Sequence, residues 1–97
     1  MSAYIIAQVS VTNPEEFEAY RAQVPATLKL YDGEYIVRGG EIEALEGELA
    51  YPRVVVIKFP SMARAKAWHS SVEYAGPKAL RQASSEGRLM VVDGYDG

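Results

Sequence analysis

Three side chains in this sequence have the chemistry to hold an anion or move a proton. Arg38 closes a predicted strand just before Gly39-Gly40, and the paired donors of its guanidinium suit a carboxylate or an enolate. His69 is the one histidine of the chain and titrates closest to neutral pH. Tyr74 follows it by five residues and can donate a hydrogen bond into the same space. We therefore predict Arg38 as a substrate-binding residue, and His69 and Tyr74 as catalytic residues that handle protons.

Arg81 and Glu46 complete the predicted site as substrate-binding residues. Arg81 lies one turn past Pro77 in a predicted helix, where it can neutralise an anion, and Glu46 lies at the edge of the predicted pocket. We expect the five side chains to converge on one pocket between the sheet and the second helical region. One small molecule can touch both Arg38 and His69 only if they approach within about 10 Å, within one protomer or across two.

Each of these residues also has a structural interpretation that needs no ligand. Arg38 can end a hairpin and pair with Glu46, because Gly39-Gly40 supply the positive φ of a tight turn. His69 can be half-buried at a helix end, and Tyr74 can be a core residue with its hydroxyl at the rim. Arg81 can pair with an acidic side chain. The sequence leaves both interpretations open.

Composition excludes several kinds of site. The chain has no cysteine and one histidine, which excludes thiolate sites, disulfides and a multi-histidine metal centre within one chain. The glutamates at positions 41, 43, 46 and 48 lack the glycine and aspartate pattern of a calcium loop. We therefore predict neither a metal nor a cofactor.

Charge and hydropathy also limit the partners. The 97 residues carry a net charge of −3 at pH 7, whereas nucleic-acid binding needs a clustered basic face. No apolar run approaches the roughly 20 residues that span a bilayer. The first four residues lack the basic stretch of a signal peptide. We expect a cytoplasmic protein with no nucleic-acid or membrane partner.

Alternating apolar residues predict the strands. The four main ones are expected over residues 4–11, 34–38, 53–59 and 88–93, and a short exposed strand is expected over 41–44. Asn13 caps a first helix, and an apolar stripe from Phe17 to Tyr31 defines its inner face. Pro25 lies inside this stripe and is predicted to divide the helix without ending it.

Two further helical segments follow the third main strand. Ser61 caps the first of them. The pattern Ser70-x-x-Glu73 is typical of a capping box and predicts the start of the next. Pro77 follows a glycine inside that segment, which predicts a kink or restart there.

The resulting order β-α-β-β-α-β is typical of an α+β ferredoxin-like fold, an antiparallel sheet with its helices on one face. The other face should be polar in a monomer. Here the strands around residues 54–57 and 89–92 are apolar on both faces. A second copy of the same sheet is the simplest cover, so we predict a homodimer through the sheet face.

Five stretches together carry a resemblance to a known family: Tyr35–Gly40, Leu45–Gly47, Val54–Ser61, Trp68–Tyr74 and Ala79–Arg81. In that order and spacing they resemble the family called domain of unknown function 1330, with Val72 where the family usually has proline. The resemblance implies ferredoxin-like protomers that pair their sheets into a dimeric α+β barrel, one such domain over residues 1–97. The family name assigns no activity.

The wider group of dimeric α+β barrels includes cofactor-independent monooxygenases, small-ring isomerases and haem-degrading enzymes. The haem-degrading enzymes use a separated Asn, Trp and His, whereas Trp68 and His69 are neighbours here and Asn13 is a helix cap. Three hypotheses follow from the resemblance. The chain is a cofactor-independent enzyme acting on a compact anionic or enolisable compound, a non-catalytic ligand-binding dimer, or a purely structural dimer with a filled barrel.

Overall fold

The computed structural model describes residues 2–95 as four strands and three helices. In chain order they are β1 (Ala3–Val11), α1 (Pro14–Lys29), β2 (Glu34–Arg38), β3 (Arg53–Phe59), α2 (Met62–His69), α3 (Val72–Ser84) and β4 (Ser85–Asp93). The strands form one antiparallel sheet in the order β2-β3-β1-β4, and the predicted ferredoxin-like α+β fold is confirmed.

The core lies between the sheet and the helices. Residues 3, 5, 7 and 9 of β1 are buried while their neighbours are not, because alternate side chains point to opposite faces of a strand. Trp68 of α2 and Tyr74 of α3 are fully buried, with ring centroids 4.0 Å apart. They pack with Val24 and Leu28 of α1 in the same cluster. This aromatic layer fixes α2 and α3 over the sheet.

The outer face of the sheet carries an apolar row that crosses all four strands. Its members lie opposite one another on neighbouring strands: Val37, Val56, Ile6 and Met90. Val37 and Met90 are 38% and 43% exposed. Because Val56 belongs to this row, the strand alternation turns Val56 away from the helices and the buried Ile57 towards them.

Helix α1 begins as predicted, since the side chain of Asn13 accepts a hydrogen bond from the Glu16 N–H at 3.2 Å. It differs from prediction at Pro25, where the helix runs on to Lys29 without a division. Proline removes one N–H from the helix ladder, which leaves the carbonyl of Arg21 without its usual donor four residues on. That carbonyl finds another partner, which is described below.

The start of α3 differs from prediction by one residue. Ser71 is the cap, and its hydroxyl accepts from the Tyr74 N–H at 3.1 Å. Ser70 instead ends α2 and donates from its hydroxyl to the Lys66 carbonyl at 3.0 Å. The helix then continues through Pro77 without a restart.

Two strand predictions also need correction. Residues 41–44 form no strand and belong to an irregular segment that runs from residue 39 to residue 52. Strand β4 begins at Ser85, three residues earlier than predicted, directly after α3. None of the helices described between residues 2 and 95 is long and apolar enough to cross a membrane.

Candidate functional site

A cavity between the sheet, α1 and α3 is lined by four arginines, which we call the arginine cavity: Arg21, Arg38, Arg53 and Arg81. The rest of its wall is aromatic or aliphatic, and includes Phe17, Tyr20, Tyr35, Trp68 and Leu89. No aspartate or glutamate is among the lining residues within the described range 2–95. The cavity is small, with a volume of about 30 Å³.

The arginines of this cavity are placed close to one another. The pKa of Arg53 is lowered, first because burial strips water from its guanidinium and then because Arg21 and Arg38 repel its charge. The Nε atoms of Arg21 and Arg53 are buried and have no hydrogen-bond partner within residues 2–95. Arg21 has one acidic neighbour, Glu18 on the same helix, at 3.0 Å. The local field therefore favours a negative group inside the cavity.

A bulge in β2 brings Arg38 to the cavity. Strand pairing shifts by one residue between Tyr35 and Val37, so Arg38 shares the helix-facing side with Tyr35. Regular alternation would have placed Arg38 on the same face as Ile36. The guanidinium lies 4.5 Å from the centroid of the Tyr35 ring.

The free carbonyl of α1 then anchors Arg38. Its Nη2 donates to the Arg21 carbonyl at 3.0 Å, the same carbonyl that Pro25 leaves without a helix partner. Pro25 in α1 and the bulge in β2 thus both contribute to one hydrogen bond, which fixes the direction of the Arg38 side chain.

Gly39 lies directly against the guanidinium of Arg53. The φ angle of Gly39 is +69°, which favours glycine, and a Cβ atom at this position would run into the Arg53 guanidinium. On its other side that guanidinium lies 5.5 Å from the Phe17 ring centroid. The arginine is therefore held between a glycine and an aromatic ring.

A chain of hydroxyl groups leads from the cavity into the helical layer. The hydroxyls of Tyr20 and Tyr74 are 3.0 Å apart, and Arg81 Nε donates to the Tyr74 oxygen at 3.3 Å. The pKa of Tyr20 is strongly raised, mainly by burial and then by Tyr74. Burial also raises the pKa of Tyr35. Both cavity phenols therefore stay protonated at neutral pH and can act as donors.

His69 lies beside this chain but lines a second cavity. Its ring centroid is 6.2 Å from that of Tyr74, and its pKa is lowered by burial, then by Lys78 and Arg81. The second cavity, of about 360 Å³, lies between α2 and the edge strand β4, and we call it the α2–β4 cavity. Its wall includes His69, Lys66, Ser70 and Leu89.

The structure thus brings together part of the predicted site. Arg38 and Arg81 line one cavity, and Tyr74 is hydrogen-bonded to Arg81 behind it. His69 faces the neighbouring cavity, and Glu46 is exposed in the irregular segment and lines neither of the two. Their roles stay predictions.

The sequence analysis missed the other cavity arginines and phenols. Arg53 was detectable, because it shares its strand face with Val55 and Ile57 and so has to point towards the helices. Arg21 gave a weaker signal, since a helix position next to an apolar stripe is usually its solvent-exposed border. Tyr20 belongs to the apolar stripe itself, where a core position is the simpler interpretation. Within residues 2–95 no three acidic or histidine side chains lie close enough together to hold a metal ion.

Comparison with solved structures shows the fold of this chain. A protein of unknown function from Rhodopseudomonas palustris, RPA0582, has a TM-score of 0.80 at 16% identity, over 99% of this chain and 84% of that one. A dimeric ferredoxin-like protein of unknown function from Jannaschia sp. CCS1 has a TM-score of 0.74 at 17% identity, over 98% and 99%. SnoaB, a cofactor-independent oxygenase from Streptomyces nogalater, has a TM-score of 0.66 at 13% identity, over 99% and 95%.

A search of curated proteins found none that matches. The family comparison is decisive, because one family model matches residues 2–95, nearly the whole chain. That match agrees with the ferredoxin-like sheet and with the resemblance found in the sequence. The chain belongs to the family described as domain of unknown function (DUF1330).

Proposed function

We propose that this protein binds a compact organic anion, a carboxylate or an enolate, in the arginine cavity. The observation that carries the proposal is the set of four guanidinium groups around one small cavity whose wall has no carboxylate within the described residues. Three of these arginines are half-buried and Arg38 is exposed. Placing like charges close together is unfavourable, and an anion lowers that cost while pairing with the donors. A purely structural arginine would be expected to have an acidic partner of its own.

The cavity size suggests how much of a ligand it takes. At about 30 Å³ the cavity is far smaller than the range of about 300–1,000 Å³ that is typical of small-molecule sites. The fit favours a small acidic head group rather than a large anion.

The hydroxyl chain gives this site a route to catalysis. Because Arg81 donates to the Tyr74 oxygen, Tyr74 can donate its own hydrogen to Tyr20, which leaves the Tyr20 O–H free to point into the cavity. A protonated donor facing an enolate stabilises the negative charge on its oxygen. We propose a cofactor-independent reaction on an enolisable acid as the catalytic form of this function, and a non-catalytic anion-binding protein as the alternative.

We also propose that the chain acts as a homodimer through the outer face of its sheet. The apolar row on that face supports this arrangement, because helices cover only the other side. The Jannaschia neighbour is described as dimeric, which supports the same arrangement here.

Ligand titration tests the proposed anion site. The indole of Trp68 lines the cavity and belongs to the one tryptophan of the chain, so its fluorescence reports binding there. We expect formate and acetate to change this fluorescence saturably, and their neutral amides to leave it unchanged. Arg38→Met should weaken carboxylate binding about tenfold or more, because a hydrogen bond to a charged group contributes about 1.5–3 kcal/mol.

Arg64 provides a matched control for Arg38. Like Arg38, it donates to a backbone carbonyl, that of Leu30 at the end of α1, at 3.2 Å, and its guanidinium lies 5.3 Å from the centroid of the Tyr31 ring. It also pairs with the Asp32 carboxylate at 3.1 Å. It lies outside the arginine cavity. Arg64→Met should therefore leave carboxylate binding unchanged. Equal weakening by both variants, or equal response to acids and amides, would refute the proposed site.

A further inference from the structure

The two cavities share a wall that is one layer of side chains thick. Ile5 and Leu89 line both the arginine cavity and the α2–β4 cavity. They lie on neighbouring strands and on the same face, because Leu89 pairs with Ala7, two residues from Ile5. Ile5 is 1% exposed, so the separation is made by packed apolar atoms rather than by solvent.

The two cavities differ in size and in chemistry. The arginine cavity has room for an acidic head group, whereas the α2–β4 cavity, at about 360 Å³, lies within the range of about 300–1,000 Å³ typical of small-molecule sites. Its inner wall is apolar, formed by Ile5, Ala65, Leu89 and Val91. Its polar lining residues are Lys66, His69 and Ser70, and they come from α2 and its C-terminal cap.

The two cavity volumes suit a single ligand whose head group lies in one cavity and whose remaining atoms lie in the other. An acid that places its carboxylate among the arginines has no room there for the rest of its body. The larger apolar space begins on the other side of Leu89, which is partly buried. A leucine at a strand position can change rotamer without breaking the strand, because its side chain takes no part in the ladder of backbone hydrogen bonds.

We propose that the ligand is a carboxylic acid with an apolar chain or small ring, whose head lies in the arginine cavity and whose body passes Leu89 into the α2–β4 cavity. Leu89 is then a specificity-determining residue, and His69 contacts the far part of the ligand rather than its carboxylate. This inference rests on the proposed anion site, and it adds the class of acid and the direction in which it lies.

Two natural reporters separate the cavities in the unmodified protein. Trp68 fluorescence reports the arginine cavity, and the C2–H proton signal of His69 reports the α2–β4 cavity, since each residue occurs once in the chain. At about pH 8, where His69 is neutral because its pKa is lowered, saturating acetate should change the Trp68 signal and leave the His69 signal in place. Saturating hexanoate should change both. Hexanoate should also bind at least about tenfold more tightly, because its extra methylene groups leave water.

A change of wall size tests the role of Leu89. Leu89→Phe should weaken hexanoate binding about tenfold more than it weakens acetate binding, because only hexanoate has to pass this side chain. Leu45→Phe is the control, because Leu45 is 89% exposed and lines neither cavity. If Leu89→Phe does not fold, the two signals of the unmodified protein still decide the question.

The outcomes distinguish the two proposals. A His69 signal that stays in place at saturating hexanoate, or equal affinity for both acids, overturns the two-cavity arrangement and leaves the anion site standing. Failure of acetate to bind at all overturns the anion site, and this inference with it. A joint response to hexanoate that Leu89→Phe removes supports the arrangement.

Discussion

Replacing Arg53 should make the protein more stable and a weaker binder of anions. In Arg53→Met the methionine retains much of the aliphatic packing and loses the charge. The buried Nε without a partner within residues 2–95 is removed, and so is the repulsion from Arg21 and Arg38. Replacing a structural arginine would lower stability, whereas replacing a binding arginine lowers affinity, so this variant distinguishes the two roles.

The expected size of the stability change follows from opposing contributions. An unsatisfied buried polar group costs about 1–3 kcal/mol, and its removal recovers part of that. The contact of the guanidinium with Phe17, at 5.5 Å, is lost and contributes about 0.5–1 kcal/mol. The free energy of unfolding should therefore rise by about 1 kcal/mol, and the melting temperature by about 4–8 °C.

The affinity should change in the opposite direction. One charge-assisted hydrogen bond contributes about 1.5–3 kcal/mol, so the dissociation constant for acetate should rise about 10- to 150-fold. Thermal melts by circular dichroism give the first quantity, and Trp68 fluorescence titration at low ionic strength gives the second. A fall in melting temperature would show that Arg53 serves the fold. A rise with unchanged acetate affinity would show that the cavity does not bind anions through it.

Three other changes test the remaining features. Val56→Asp should convert the proposed dimer into a monomer or an unfolded chain. Light scattering measures this change, because the dimer has twice the 10.7 kDa chain mass. An unmodified protein that is already monomeric would contradict the dimer. Gly39→Ala should weaken carboxylate binding about as much as Arg53→Met does, because the new Cβ displaces the Arg53 guanidinium. Gly47→Ala, with a similar φ of +76° but open space around it, should carry only the backbone cost of about 1–2 kcal/mol. The pKa of His69 is lowered by burial, so the unfolded chain binds its proton first. Stability should therefore fall as pH drops below about 6.5 and the unfolded-state histidine becomes protonated, and His69→Gln should flatten this dependence in urea titrations.

Much of the fold follows from local sequence patterns. Strands β2 and β3 lie where alternation predicts them, and the caps at Asn13 and Ser61 are as expected. Helix interiors were harder, because packing of the apolar stripe against the sheet overrides the local effect of Pro25. The cap at Ser71 rather than Ser70 shows the same limit, since either serine can accept from an N–H three residues on.

The candidate site was less accessible to sequence reasoning. Arg38 faces the helices because of a one-residue bulge, and a bulge in a short strand leaves no clear mark in the hydrophobic pattern. His69 and Arg38 line different cavities, and the layer of Ile5 and Leu89 that lines both cavities depends on strand register. The grouping of Arg21 with Arg53 likewise depends on how α1 packs over β3.

Pro25 lowers the stability of α1, but it also leaves the Arg21 carbonyl free to orient the Arg38 side chain. An interior proline costs a helix about 3 kcal/mol relative to alanine, so a search for heat-resistant variants would favour Pro25→Ala. The new N–H would compete with Arg38 for the Arg21 carbonyl, and the arginine would lose its preset direction. Thermal tolerance alone would then be a misleading guide in engineering this protein, because selection for it would remove the imperfection that holds Arg38 in place.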